Sequence, residues 1–183
     1  SVTETNEPEM VIAGADLLRT SGNLAMALNL LRRAAEHQND PRLFSALAIC
    51  QREMGDADGA LASYQAAIAH SEDKALLVDA HMGLATIRLQ RHERDKALRH
   101  LHEARAIDPA NADVHYSLGT YYALSQDHLL AVAAFKTSTE HDPRRLHAYF
   151  GQARSLIELG HLTEARAVYL RAADALPDSA VIF

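Results

Sequence analysis

Small and large apolar residues recur along this chain at fixed helical offsets. Ala60, Tyr64 and Ala67 stand four and three apart, and so do Ala97, Leu101 and Ala104. The same spacing returns at Ala131, Phe135 and Ser138 and at Ala165, Tyr169 and Ala172, with a weaker copy at Ala27, Leu31 and Ala34. Offsets of four and three place all three residues on one face of a helix. A small residue on each side of a large one lets two helices approach while the large side chain fills the gap between them. The steps from Ala97 to Ala131 and from Ala131 to Ala165 are both 34 residues. A fixed period of this length is the signature of a helical repeat array.

The pattern predicts two helices per repeat. First helices are expected at 9–20, 42–53, 74–90, 112–124 and 146–158, and second helices at 24–37, 57–70, 94–107, 128–140 and 162–175. Small residues also recur on the first helices, at Ala15, Ala48, Ala85, Gly119 and Ala153. Gly22-Asn23, Gly55-Asp56 and Gly160-His161 mark turns within repeats, because glycine supplies the left-handed conformation that ends a helix. Asp40-Pro41, Asp108-Pro109, Asp142-Pro143 and Pro177-Asp178 mark repeat ends, since proline cannot continue a helix. Asp127 stands where an N-cap belongs. The step from Ala60 to Ala97 is 37 residues, so the third first helix is expected to be longer, with Ser71 as its N-cap. No strand-like alternation survives a count.

These features resemble the tetratricopeptide repeat, whose motif has a small residue on the first helix, the small–large–small triple on the second and a closing proline. The fold implied is an all-α, right-handed α-solenoid of about five helix–turn–helix units. Their expected bounds are about 8–41, 41–73, 74–109, 112–143 and 146–177, after a flexible lead-in at 1–8. Leu118-Gly119, Tyr122, Ala131, Phe135 and Pro143 fit best, with Ala153, Leu156, Gly160, Ala165, Tyr169, Ala172 and Pro177. Departures from the motif are Gly14, where Leu is common, Gln51 and Arg88, where a large apolar residue is usual, and His81 and His115, where an aromatic is usual.

The resemblance implies a concave groove lined by the first helices. By repeat phase its lining includes Met82, Tyr116 and Phe150 as an apolar ladder, with Ile49, Thr86, Thr120 and Arg154 one turn on and Arg42, Asp79, Asp113 and His147 one turn back. Steps of roughly 10 Å between packed helices would suit an extended peptide or an amphipathic helix. The C-terminal half is expected to carry most of the affinity. Some members of the family grip the carboxylate tail of heat-shock chaperones with Lys, Asn and Arg. The matching places here hold Ile12, Asp16, Ala46, Asp79 and Gly83, or in the next register Ser45, Ile49, Gly83, Asp113 and Ser117, so that partner is not expected. The reading is a non-enzymatic protein-interaction scaffold without a cofactor. Two alternatives stay open: the interaction domain of a larger enzyme, as in some glycosyltransferases, and an assembly factor or lipoprotein of a bacterial pilus or secretion system.

Composition narrows the partner. The formal net charge is −6 and basic residues come only in isolated pairs such as Arg32-Arg33, so nucleic acid is set aside. The alanine-rich, tryptophan-free composition reads as bacterial, and no stretch approaches the roughly 18 apolar residues of a membrane span. Cys50 is the single cysteine, which leaves the compartment open between cytoplasm and periplasm; it reads as a buried small hydrophobe. Eleven histidines invite a metal, but no pair stands four apart beside a carboxylate as a zinc helix requires. Asp56-Ala57-Asp58-Gly59 lacks the later ligands of a calcium loop. The run Arg91–Lys96 reads as a solvated turn and helix start. Phe183 lies 34 residues after Tyr149 and closes an apolar run, so 178–183 is expected to begin a further repeat or capping helix, or to support self-association.

Overall fold

A computed structural model describes residues 7–175. Among them are ten helices: α1 Glu7–Thr20, α2 Leu24–His37, α3 Pro41–Glu53, α4 Ala57–His70, α5 Lys74–Gln90, α6 Arg94–Ile107, α7 Ala112–Leu124, α8 His128–His141, α9 Leu146–Glu158 and α10 Leu162–Ala175. The helices group into two compact units, α1–α6 up to Ile107 and α7–α10 from Asp108. The expectations for residues 1–6 and 178–183 lie outside the described residues. Every helix end falls within two residues of its expected place. Glu7 and Pro8, read as lead-in, open α1 instead; proline is tolerated in a first turn because its missing N–H would have no helical partner.

The helix ends follow from local chemistry. Asp40, Asp56, Asn111 and Asp127 cap α3, α4, α7 and α8 with side-chain oxygens that accept backbone N–H bonds. At α5 the cap is Asp73, not Ser71: its carboxylate accepts from the N–H groups of Ala75 and Leu76 at 2.8 and 3.2 Å. Ser71 stands two residues too early and its hydroxyl accepts from the Asp73 N–H instead. The helix is nonetheless the longest, at 17 residues.

All five hairpin turns close with the same paired backbone bonds, a 6→1 bond and a 5→2 bond nested inside it. Asn23 N–H donates to Leu18 O at 2.8 Å and Gly22 N–H to Arg19 O at 3.1 Å. The left-handed residue is glycine at 22, 55 and 160, but His92 and Gln126 hold φ of 59° and 62° at the matching places.

Packing is set by the large member of each triple. Tyr64 and Phe135 are 3% exposed and Leu31 is fully buried. Phe135 lies between the first helix of its own hairpin and that of the next. A Cβ built on Gly119 of α7 would stand 2.6 Å from the ring, and one on Gly151 of α9 also 2.6 Å. Gly83 of α5 approaches Tyr64 in the same way, at 2.3 Å. A real Cβ cannot sit at these distances, so the ring and the glycine are one packing element. Ser138, the polar third member of its triple, is fully buried and donates its hydroxyl to Ala112 O at 2.8 Å.

The departures from the motif have partners. Gln51 is buried and accepts from the Ser63 hydroxyl at 2.6 Å across the α3–α4 hairpin. Arg88 donates to Glu93 at 2.7 Å, and Lys96 meets the same carboxylate at 2.8 Å. These contacts, Lys96 first, hold Glu93 below the usual carboxylate range. Cys50 is 2% exposed, and burial pushes its thiol up.

Gly151→Ala is expected to destabilise the second unit by about 1–3 kcal/mol, the usual cost of overpacking. Thermal or urea unfolding measures it. Combining it with Phe135→Leu, which withdraws the ring, should cost less than the sum of the two single changes; strict additivity would disprove the coupling.

Candidate functional site

Six of the residues expected in the groove fall in the second unit, and five of them converge. Tyr116 and Thr120 of α7 and His147, Phe150 and Arg154 of α9 line one cleft of about 390 Å³. Its floor is aromatic: Tyr116 meets Phe135 with ring centroids 5.7 Å apart, and Phe150 meets Tyr169 at 6.0 Å. Tyr116 and Phe150 are both half-buried, so one side of each ring packs on the second helix of its hairpin while the cleft takes the other. The sixth residue, Asp113, does not line the cleft but pairs with Arg145, whose guanidinium lies 5.8 Å over the Tyr116 ring. Asp113 therefore fixes the cation that fixes the ring. Thr120 donates its hydroxyl to Tyr116 O at 3.0 Å, so it presents mainly its methyl group.

The rim is polar. His147, Arg154 and Glu158 are exposed on α9, and His128 enters from α8. Repeat phase misses Gly151, Ser155, Glu158 and Phe135 as lining residues. Gly151, Ser155 and Glu158 follow His147 at offsets of four, eight and eleven and so extend its helical face. Phe135 reads from sequence only as core, and reaches the cleft because Gly151 leaves its edge uncovered.

The first unit is different in kind. Arg42, Ile49 and Asp79 line a separate cleft of about 610 Å³, with Glu9, Ile12 and Asp16 among its other walls. Arg42 is held by two carboxylates, Asp40 at 2.7 Å and Glu9 at 2.8 Å. The bond to Asp40 is the main cause of an Arg42 pKa raised well above its usual value. This cleft is acidic and contains no aromatic ring. Met82 and Thr86 are half-buried and line neither cleft, and the Thr86 hydroxyl donates to Met82 O at 3.0 Å.

One cluster has no forerunner in the sequence pattern. His81 of α5 and His100 of α6 bring their Nδ1 atoms to 3.2 Å. One ring donates and the other accepts, which requires that the acceptor be neutral. Burial lowers both pKa values below the ordinary histidine range; His81 lowers His100 further, with smaller lowering from Arg88 and Arg99, while Glu103 raises both. Spacing hides the pair because its members, 19 residues apart, meet only once the hairpin closes. Among the described residues no three His, Cys, Asp or Glu side chains gather as metal ligands, and no helix is long and apolar enough to cross a membrane.

The pattern of the tetratricopeptide repeat matches residues 82–139 and 125–180, and a second pattern of the same repeat matches 46–71. The chain belongs to the tetratricopeptide repeat family. No curated protein sequence matches it. Among solved structures it resembles MamA, with 21% identity over 92% of this chain and 97% of that one and a TM-score of 0.77. MamA 41-end from Desulfovibrio magneticus RS-1 gives 17% identity over 95% and 97% at a TM-score of 0.76. YrrB, described as a TPR protein with an unusual peptide-binding site, gives 19% identity over 92% and 86% at 0.65. At these identities the likeness is one of fold: an all-α repeat of helical hairpins.

The histidine pair makes a pH prediction. Both folded-state pKa values lie below the unfolded value of about 6.5, so the unfolded chain takes up protons first. The contribution of the pair is fully present above that pH and is lost as pH falls through and below it. His81→Phe/His100→Val, using the residues that Phe44 and Val168 supply at the matching places, should flatten the loss of Tm between pH 7 and pH 5. An unchanged pH slope would remove the pair as its source.

Proposed function

We propose that the protein is a non-catalytic scaffold that holds a segment of another protein, with the cleft between α7 and α9 as its anchoring site. The observation that carries this reading is the pairing of Tyr116 and Phe150 over a cleft of about 390 Å³ with Arg154 exposed on its rim. Half-buried aromatic rings offer apolar area already held in place, which keeps the ordering cost of binding low. An apolar or aromatic side chain of the partner enters between the rings, and an acidic group beside it meets Arg154. The first-unit cleft is a weaker candidate, because Arg42 already serves Asp40 and Glu9. The peptide-binding site named for YrrB agrees with this reading, although that protein shares only the fold.

The test begins with capture of partners from the native host and mapping of the bound segment, which is then made as a peptide. Phe150→Ala is expected to weaken that peptide at least about tenfold, as loss of a central aromatic anchor does. Arg154→Glu, a change at an exposed position that leaves the core intact, should weaken an acidic peptide and slow its association. Lys136→Ala, on the exposed side of α8, serves as the control. If both cleft variants stay folded and bind as wild type does, the cleft is not the site.

A further inference from the structure

Buried polar groups in a folded chain are hydrogen-bonded, and an exception calls for a reason. Ser155 of α9 is one. It is 2% exposed, and among the described residues its hydroxyl bonds to nothing. Thr86, Thr120 and Ser138, by contrast, all donate to backbone carbonyls. The places in α3, α5 and α7 that match Ser155 hold Cys50, Ile87 and Tyr121, all buried, so packing there does not call for a free hydroxyl.

Ser155 lines the cleft between α7 and α9, and a second unpaired group lines it too. The Nδ1 atom of His128 is buried without a hydrogen-bond partner. Nitrogen atoms of Arg52, Arg88, His102 and Arg145 are also buried without hydrogen bonds, but none of those residues lines the cleft. The two groups share one end of it. Tyr116 and Phe150 stand early in α7 and α9, whereas Ser155 stands late in α9 and His128 follows the turn that ends α7. Five residues of helix lead from Phe150 to Ser155, a rise of about 7.5 Å. The cleft is therefore aromatic at one end and carries unpaired hydrogen-bonding groups at the other.

We infer that the side chain this cleft takes from its partner is a tyrosine, an inference that rests on the reading of the cleft as the anchoring site. The ring lies between Tyr116 and Phe150, over the edge of Phe135, and the phenol hydroxyl reaches Ser155 and His128. A phenol standing beside Phe150 covers the rise to Ser155 once a hydrogen bond of about 2.8 Å is added to its length. Its hydroxyl gives one hydrogen bond and takes another. The Ser155 hydroxyl can do either, and the His128 Nδ1 donates or accepts according to its tautomer. A phenylalanine or leucine in the same place would seal both groups from water unpaired, which costs affinity. An indole N–H only donates, so it serves one of the two at most. A charged anchor gains little, because Arg154 and Glu158 put both signs on the rim.

Amide chemical-shift titration of the isotope-labelled 183-residue chain tests the inference, with N-acetyltyrosinamide, N-acetylphenylalaninamide and N-acetyltryptophanamide as probes. The tyrosine probe is expected to shift the amides of Tyr116, Gly151 and Ser155. It should bind at least about tenfold more tightly than the phenylalanine probe, the ratio set by one buried group left unpaired. Ser155→Ala should remove most of that preference by weakening the tyrosine probe alone. The same variant should keep the wild-type Tm or raise it, because the hydroxyl has no partner to lose. Equal binding of the tyrosine and phenylalanine probes overturns the inference and leaves the anchoring cleft standing. So does tighter binding of the tryptophan probe, or a Ser155→Ala variant that keeps the preference or melts lower. If no probe shifts the cleft amides, the anchoring reading falls and takes the inference with it.

Discussion

The structure depends on one steric constraint: within each unit, a bulky side chain on a second helix must fit between two first helices, as Leu31, Tyr64 and Phe135 do. Phe135 shows it most clearly, with Gly119 on one side and Gly151 on the other. Dispersion and apolar burial favour the contact, and hard-sphere repulsion limits which residues can face it. Ring and glycine therefore specify each other. Where the wedge is leucine, as at Leu31, alanine suffices opposite it, and Ala46 takes that place. The size of the wedge thus sets how close neighbouring hairpins come.

That constraint also creates the candidate site. Because Gly151 has no side chain, α9 comes down onto Phe135 and brings Phe150 and Arg154 into line with Tyr116. The aromatic floor of the cleft is the reverse side of the core. Asp113 and Arg145 then hold the Tyr116 ring from above, which links a surface ion pair to the shape of the apolar surface. The first unit satisfies the same packing rule but has Ile12 and Ser45 at the places of Tyr116 and Phe150, with Arg42 and Asp79 one turn back. Its one lining cation, Arg42, is taken up by Asp40 and Glu9, and the result is an acidic cleft on an equivalent frame.

Helix ends were legible in the sequence where they are written in local chemistry, a capping carboxylate before α3, α4, α5 and α8 and a left-handed glycine after α1, α3 and α9. The misreading of Ser71 arose where two capping residues, Ser71 and Asp73, stand two apart and compete; the carboxylate is the stronger acceptor. His92 and Gln126 gave no turn signal because neither is glycine, yet the nested backbone bonds hold them at positive φ. Groove phase was legible to the level of which helix face, and that placed Tyr116, Phe150 and Arg154 correctly on one cleft. It could not tell that Asp113 turns to Arg145, or that His81 meets His100. Those contacts depend on how far each hairpin closes, which spacing along one helix does not encode.

Within each unit, no helix touches another more than two places away along the chain. The contacts that hold the fold are thus short-range in sequence, and little loop-closure entropy is lost in forming them. Such topologies fold fast, and any hairpin can nucleate. The same locality governs damage. Opening of an end hairpin breaks only the interfaces with its neighbours, so a protease or a destabilising lesion there nibbles one repeat at a time instead of collapsing the whole molecule.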